Sequence, residues 1–290
     1  DVACAPAVFW SVISPIAVRI VPDRYRSIAL SMVVTGSSIA MILGMPLGRV
    51  IGLHVGWRMT FFSIGVFSAL TFLYIAWRLP KVPSGGGFSP KKLPELLRHK
   101  GIMGLYLFTL LISSAIYVAY SYIEPFLKQV SLMPDDWVTT ALMVFGGAGL
   151  LGSIAFSKYY NRNRKLFITV NVAAMALCLL LLYPVSSGFF PIIMLLAVWG
   201  ATATAYNVAM QSNMILVTTP ESTPVAMSIF SGIFNLGIGS GAFFGGAICS
   251  DLSISYIGLA GGVLALIGLV YWVARLGNRI EPKDTLDKYL

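Results

Sequence analysis

Apolar residues run along this chain in long, nearly unbroken windows, separated by short clusters of charge, Pro and Gly. A window of about 20 apolar residues, without the one-sided pattern of a half-exposed helix, suits a segment surrounded by lipid or by other such helices. Nine spans are expected, near 2–20, 27–51, 58–79, 102–125, 137–157, 165–184, 189–214, 224–248 and 255–276. The longest polar stretch, about 80–101, holds Pro80, Pro83, Gly85, Gly86, Gly87, Pro90, Lys91 and Lys92. It reads as a hydrophilic linker between a first group of spans in 1–79 and a second group, with a polar tail, in 102–290.

Composition narrows the class. Of 290 residues, 57% are hydrophobic and 11% charged, with a mean hydropathy of +0.83. Soluble domains carry roughly a quarter charged residues, and a single core stops growing near ~250–300 residues. The apolar surplus must therefore face lipid. That excludes a soluble enzyme, a disordered chain and a collagen-like fibre. The weak ten-residue alternation of a membrane barrel is not found. An all-α membrane protein, built as a helical bundle, is the expected fold class.

The net charge of +9 is distributed by loop. One side of the nine-span arrangement holds Arg19, Arg24 and Arg26, then Arg78, Lys81, Lys91, Lys92, Arg98 and Lys100. It also holds Lys158, Arg162, Arg164 and Lys165, and the tail adds Arg275, Arg279, Lys283 and Lys288. Only Arg49, Arg58 and Lys128 fall on the other side. Short loops rich in Lys and Arg stay cytoplasmic, so the C-terminus is expected in the cytoplasm. The charge is a topology signal, and no nucleic-acid partner is expected. With nine spans the first would then start outside. The chain also opens at Asp1, about one residue from an apolar helix, with no basic leader; it reads as a chain that has lost its beginning.

The chain also repeats. Shifted by 197 residues, Ala29-Leu30-Ser31 falls on Ala226-Met227-Ser228, Gly44 on Gly241 and Gly48 on Gly245. Both copies run in the same direction, so six spans are expected per repeat and twelve in a whole chain. The spans here would be numbers four to twelve.

Candidate chemistry is sparse. A polar group inside a bilayer is costly unless it meets a partner or a cavity, which makes each one a functional candidate. Glu124 is expected near the outer end of its span, as a proton-exchanging group or as a helix-end carboxylate paired with Arg58 or a tyrosine. Arg49 and Arg58 flank the outer loop after the second span. In that span Gly44, Pro46 and Gly48 form a bend, read as a gating seam or as an ordinary close helix crossing. Ser37, Ser38, Tyr206, Asn207, Gln211, Asn213 and Asn235 suit a neutral hydroxylated ligand, with Phe9, Trp10, Tyr117 and Tyr120 for stacking; interhelical hydrogen bonding is the alternative. Cys4, Cys178 and Cys249 read as plain buried thiols, and His54 and His99 lie in or beside loops. No metal, cofactor or catalytic set is expected.

At these residues the chain resembles the major facilitator superfamily, and Gly44-Met45-Pro46-Leu47-Gly48-Arg49 resembles its antiporter motif, with Met45 interrupting the usual Gly-Pro pair. That run, Phe9-Trp10-Ser11, Gly56-Trp57-Arg58-Met59-Thr60-Phe61-Phe62, Ala119–Phe126 and Phe230–Gly239 are similar to bacterial sugar efflux transporters. The resemblance implies a twelve-span fold of two parallel halves and proton-coupled export of arabinose-like sugars or galactosides across a bacterial inner membrane. The partners it implies are a sugar, protons and the lipid bilayer, acting on a monomer. Related drug and ribonucleoside exporters share Gly56–Arg58, and a nine-span membrane protein without transport activity is the remaining alternative. The family's early loop motif and its first span would precede Asp1.

Overall fold

The computed structural model describes residues 25–78, 98–219 and 222–277, with positions 13, 16, 17 and 20–22 before them. Every regular element among the described residues is helical. The chain divides into two compact units, one over Ile13–Gly87 and one containing Phe88–Leu290 with Asp1–Val12. Most of the expected linker at 80–101 and most of the expected span at 2–20 lie outside the described residues.

In the first unit, α1 (Arg26–Val55) and α2 (Trp57–Arg78) form a hairpin. The turn is Gly56, whose φ of +97° lies in the left-handed region that glycine enters without strain. The hairpin closes on Thr60: its hydroxyl donates to the Gly48 carbonyl at 3.3 Å, and Gly48 and Gly52 both face it. No described residue of α2 is buried.

The second unit contains α3 (Lys100–Tyr120), the short α4 (Ile123–Gln129), α5 (Asp135–Tyr159), α6 (Arg164–Leu181), α7 (Phe189–Leu216), α8 (Thr223–Asp251) and α9 (Ile257–Tyr271). A 3₁₀ turn, Ile254–Tyr256, leads into α9, and a π-helical turn, Trp272–Leu276, ends it. Side chains cap two of the starts: His99 Nδ1 accepts from Ile102 N–H, and Asn163 accepts from Leu166 N–H. Among the described residues, seven helical stretches are long and apolar enough to cross a membrane, and α1 is a further helix of 30 residues.

These elements follow the expected spans from 27 to 276 within a few residues, with one instructive break. The span expected at 102–125 ends at Tyr120, and α4 starts anew at Ile123. Pro125 supplies the reason. It has no N–H to continue the α3 ladder, but it sits in the first turn of α4, where that donor is not needed.

Helix α3 is the centre of the second unit. In its span 72% of the most apolar stretch is buried, against 28–44% in the other spans of that unit. It packs against α8 and α9; α9 packs on α6, α6 on α7, and α7 on α5. The α3–α8 crossing is made by a row of glycines. A Cβ on Gly237 would collide with Ser113, one on Gly241 would lie 2.6 Å from the Ser114 carbonyl, and one on Gly245 would lie 2.5 Å from the Val118 carbonyl. Small residues four apart let two backbones meet in lipid, where packing replaces the hydrophobic effect. Hydrogen bonds cross the same seam, from Tyr106 to the Ala226 carbonyl at 3.0 Å, between Ser114 and Ser240 at 2.9 Å, and from Tyr122 to the Ala242 carbonyl at 2.9 Å.

The repeat therefore has unlike partners in its two copies. Gly241 and Gly245 pack on α3, whereas Gly48 packs on Thr60 and no described atom lies within 4 Å of a Cβ placed on Gly44.

Candidate functional site

Two aromatic clusters form in the second unit, at different heights. In the first, Tyr120 of α3 lies 4.9 Å from Phe145 of α5 and 6.2 Å from Trp199 of α7, ring centre to ring centre. Phe145 and Trp199 meet edge to face at 5.3 Å. Tyr117 joins Tyr120 at 5.6 Å and reaches Phe234 of α8 at 6.3 Å. Tyr117 and Tyr120 are half-buried, while Phe145 and Trp199 are buried. Edge-to-face and offset contacts of this kind add roughly 0.5–1.5 kcal/mol per pair beyond area burial. The glycines next to these rings explain their approach: a Cβ on Gly200 would collide with the Phe145 carbonyl.

The second cluster stacks Phe108 on Trp272 at 5.1 Å and sets Tyr206 edge-on to Phe108 at 5.8 Å. The Trp272 indole donates to the Thr169 hydroxyl at 3.1 Å, which ties the end of the last helix to α6.

The expected polar residues are partly engaged already. Gln211 Nε2 donates to Asn207 Oδ1 at 2.6 Å, one turn apart on α7. That bond leaves the Asn207 amide and the Gln211 carbonyl as the groups it does not use. Asn235 Nδ2 donates back to the Ser231 carbonyl at 2.8 Å, and Asn213 likewise to Ala209 at 3.0 Å. Asn207, Gln211 and Asn235 are all half-buried.

Tyr117 and Tyr120 are thus together, with Phe234 bringing the neighbouring Asn235 close to their level. Asn207 and Gln211 are not in that group. Asn207 lies eight residues past Trp199, or about 12 Å along the helix at 1.5 Å per residue, beside Tyr206 and the second cluster. Phe145, Trp199 and Phe234 were absent from the sequence expectations. The available signal was a tryptophan in mid-span, since membrane tryptophans concentrate at the interfaces.

Glu124 is placed in the first turn of α4, past the end of α3, with its side chain 37% exposed. It pairs with Lys128 at 3.3 Å, and Lys128 pairs in turn with Asp135 at 2.9 Å. In the first unit Arg49 is buried at 8% exposure, and the Arg58 guanidinium lies 4.6 Å over the Trp57 ring. Gly44 and Gly48 are described as above; the side chains of Ser38 and Pro46, and all of Trp10, lie outside the described residues. Cys178 and Cys249 are free thiols, and no metal-ligating group of side chains occurs among the described residues.

Charge in the second unit is sorted by end. Among the described residues 98–277, every Lys and Arg except Lys128 lies at the end where α3, α6 and α8 begin and α5, α7 and the last helix stop. The carboxylates Glu124, Asp135, Asp136 and Asp251 all lie at the other end. The buried polar side chains between the two ends are hydroxyls and amides.

A family model described as Major Facilitator Superfamily matches residues 2–215 and 163–288. Among solved structures, the chain is similar to the crystal structure of a bacterial homolog to the human lysosomal transporter Spinster, in an inward-facing and occupied conformation. The identity is 15% and the TM-score 0.64, over 98% of this chain and 83% of that chain. At that identity the likeness is one of fold.

Proposed function

The chain belongs to the major facilitator superfamily of multi-pass membrane transporters, and on that premise we propose that it exports small neutral sugars in exchange for protons. The observation that carries the substrate class is the interior of the second unit. Its described buried polar groups are Thr, Ser and Asn side chains, beside packed aromatic rings, without a buried carboxylate or cation. Hydroxyls and amides offer both donors and acceptors to a polyol, and aromatic faces cover its apolar C–H face. An ionic substrate would leave an uncompensated charge there.

In this reading Tyr117, Tyr120 and Asn235 contact the sugar at one level and Asn207 with Gln211 at the next. Trp10 and Ser38 are further candidate sugar contacts. Alternating access in this superfamily rocks one half against the other. Arg49, Arg58 and the Gly44, Pro46, Gly48 bend are the gate candidates, and Glu124 is the proton-coupling or gate candidate. The sorting of Lys and Arg to one end supports a cytoplasmic C-terminus in a bacterial inner membrane.

The second reading is export of a ribonucleoside or aromatic drug, favoured by the ring cluster of Tyr120, Phe145 and Trp199, which suits a planar ring. One experiment separates the two. Cells expressing the full-length protein are loaded with labelled arabinose or labelled uridine, and efflux is followed with and without an uncoupler. Sugar efflux that collapses with the uncoupler supports the first reading; efflux of uridine alone replaces it with the second.

A further inference from the structure

We propose that the turn between α5 and α6 is a binding site for the phosphodiester headgroup of an anionic phospholipid. Four cations, Lys158, Arg162, Arg164 and Lys165, fall within eight residues there. No carboxylate lies at this end of the second unit among the described residues; Glu95, Glu221 and Glu281 lie outside them.

Lys158, Arg164 and Lys165 are seated rather than loose. Lys158 Nζ lies 5.4 Å from the centre of the Tyr159 ring, and the Arg164 guanidinium 5.7 Å from that of Tyr160. Tyr160 is itself buried, stacked at 4.5 Å on Phe156 and edge-on at 5.8 Å to Phe167. The Lys165 stem runs within about van der Waals reach of Gly277, 3.2 Å from the position a Cβ would take. The turn is tied by Arg162 N–H to the Tyr159 carbonyl at 3.2 Å and by the Asn163 cap on Leu166. Arginine held over a ring keeps its charge and its edge donors, which match a phosphate. Side chains already ordered lose little entropy on binding.

A free phosphate would use the same cations. The surface beside them selects a lipid. Ile154, one turn before Lys158 on α5, is 61% exposed; Leu166 and Val170, one turn apart on α6, are 57% and 55% exposed. The charge thus borders apolar faces long enough for acyl chains. Basic clusters at the ends of membrane helices recognise anionic headgroups in this way.

The test uses the full chain, purified in detergent and equilibrated with equal amounts of phosphatidylglycerol and phosphatidylcholine, with retained lipid counted by native mass spectrometry. The expected result is preferential retention of phosphatidylglycerol, reduced about tenfold in Lys158→Gln/Arg162→Gln. Lys158→Arg/Arg162→Lys, which keeps the charge, should retain it. Arg98→Gln/Lys100→Gln removes as much charge from the same end of the unit and should also retain it. Equal retention of the two lipids overturns the proposal, as does equal loss in both charge-removing variants, which would reduce the effect to a general field. Displacement of the lipid by millimolar inorganic phosphate overturns the lipid assignment. Circular dichroism of each variant shows that the fold is intact.

Discussion

Gly152 of α5 faces Ala201 of α7 so closely that a methyl group on the glycine would occupy the place of the alanine carbonyl. The neighbouring contact is reciprocal, with Gly200 of α7 against the Phe145 carbonyl of α5. A carbonyl in a helix cannot rotate away as a flexible side chain can. Gly152→Ala should therefore force the helices apart, at a cost of about 1–3 kcal/mol, and lower the thermal midpoint in detergent. Gly147→Ala is the control: nothing lies within 4 Å of its Cβ position. There the midpoint should hold or rise, since Ala exceeds Gly in helix propensity by about 1 kcal/mol.

Leu132 has a φ of +51° in the turn between α4 and α5, and is 80% exposed. The left-handed region costs a residue with a bulky side chain about 1–2 kcal/mol, and Asn tolerates it best after Gly. Leu132→Asn should raise stability by about 0.5–1 kcal/mol. A fall in the unfolding midpoint would show that Leu132 makes a contact that offsets the strain.

Lys128 bridges Glu124 and Asp135 in a partly exposed setting. Exposed ion pairs contribute about 0–1 kcal/mol, so Glu124→Gln should barely change stability. In the proposed mechanism it weakens efflux driven by a pH gradient more than it weakens equilibrium sugar binding, because Gln keeps the shape but cannot titrate. Gradient-driven flux measured beside binding decides between a coupling or gate role and a plain end-of-helix ion pair. Unchanged flux assigns Glu124 to a structural role at the end of the helix.

Tyr117 and Trp199 should separate binding from folding. Trp199 is fully buried, so Trp199→Ala removes a core ring and costs about 3–5 kcal/mol. Tyr117 is half-buried, and Tyr117→Phe keeps its ring contacts with Tyr120 and Phe234 while removing the hydroxyl. Its expected effect is a several-fold weaker sugar affinity at unchanged stability. Isothermal titration and thermal unfolding of the same samples measure both.

The spans were legible because a lipid-facing helix must be apolar over its whole length, so Trp57–Arg78 or Phe189–Leu216 is visible without any partner. What the pattern does not encode is who faces whom. Gly44 and Gly241 are equivalent in the repeat, yet only Gly241 meets a described helix. Asn207 and Gln211 read as ligand contacts or as interhelical hydrogen bonds, and their mutual bond is visible only once the i, i+4 geometry is realised. Glu124 read as the outer end of a span because the apolar run continues to 125, whereas the helix stops at Tyr120 and Pro125 sits in the first turn of the next one. Trp199 carried the opposite difficulty: one more apolar residue in an apolar run, it becomes informative only by its depth.

Where α8 crosses α3, Gly241 and Gly245 set main chain against main chain. Such a contact resists separation, while the side chains of Ser113, Tyr117 and Tyr122 set against the same row of glycines oppose sliding along its length. Its register is further held by the bonds across it, those of Tyr106, the Ser114–Ser240 pair and Tyr122. Losing one tyrosine hydroxyl would leave the two helices attached yet freer to shift past each other.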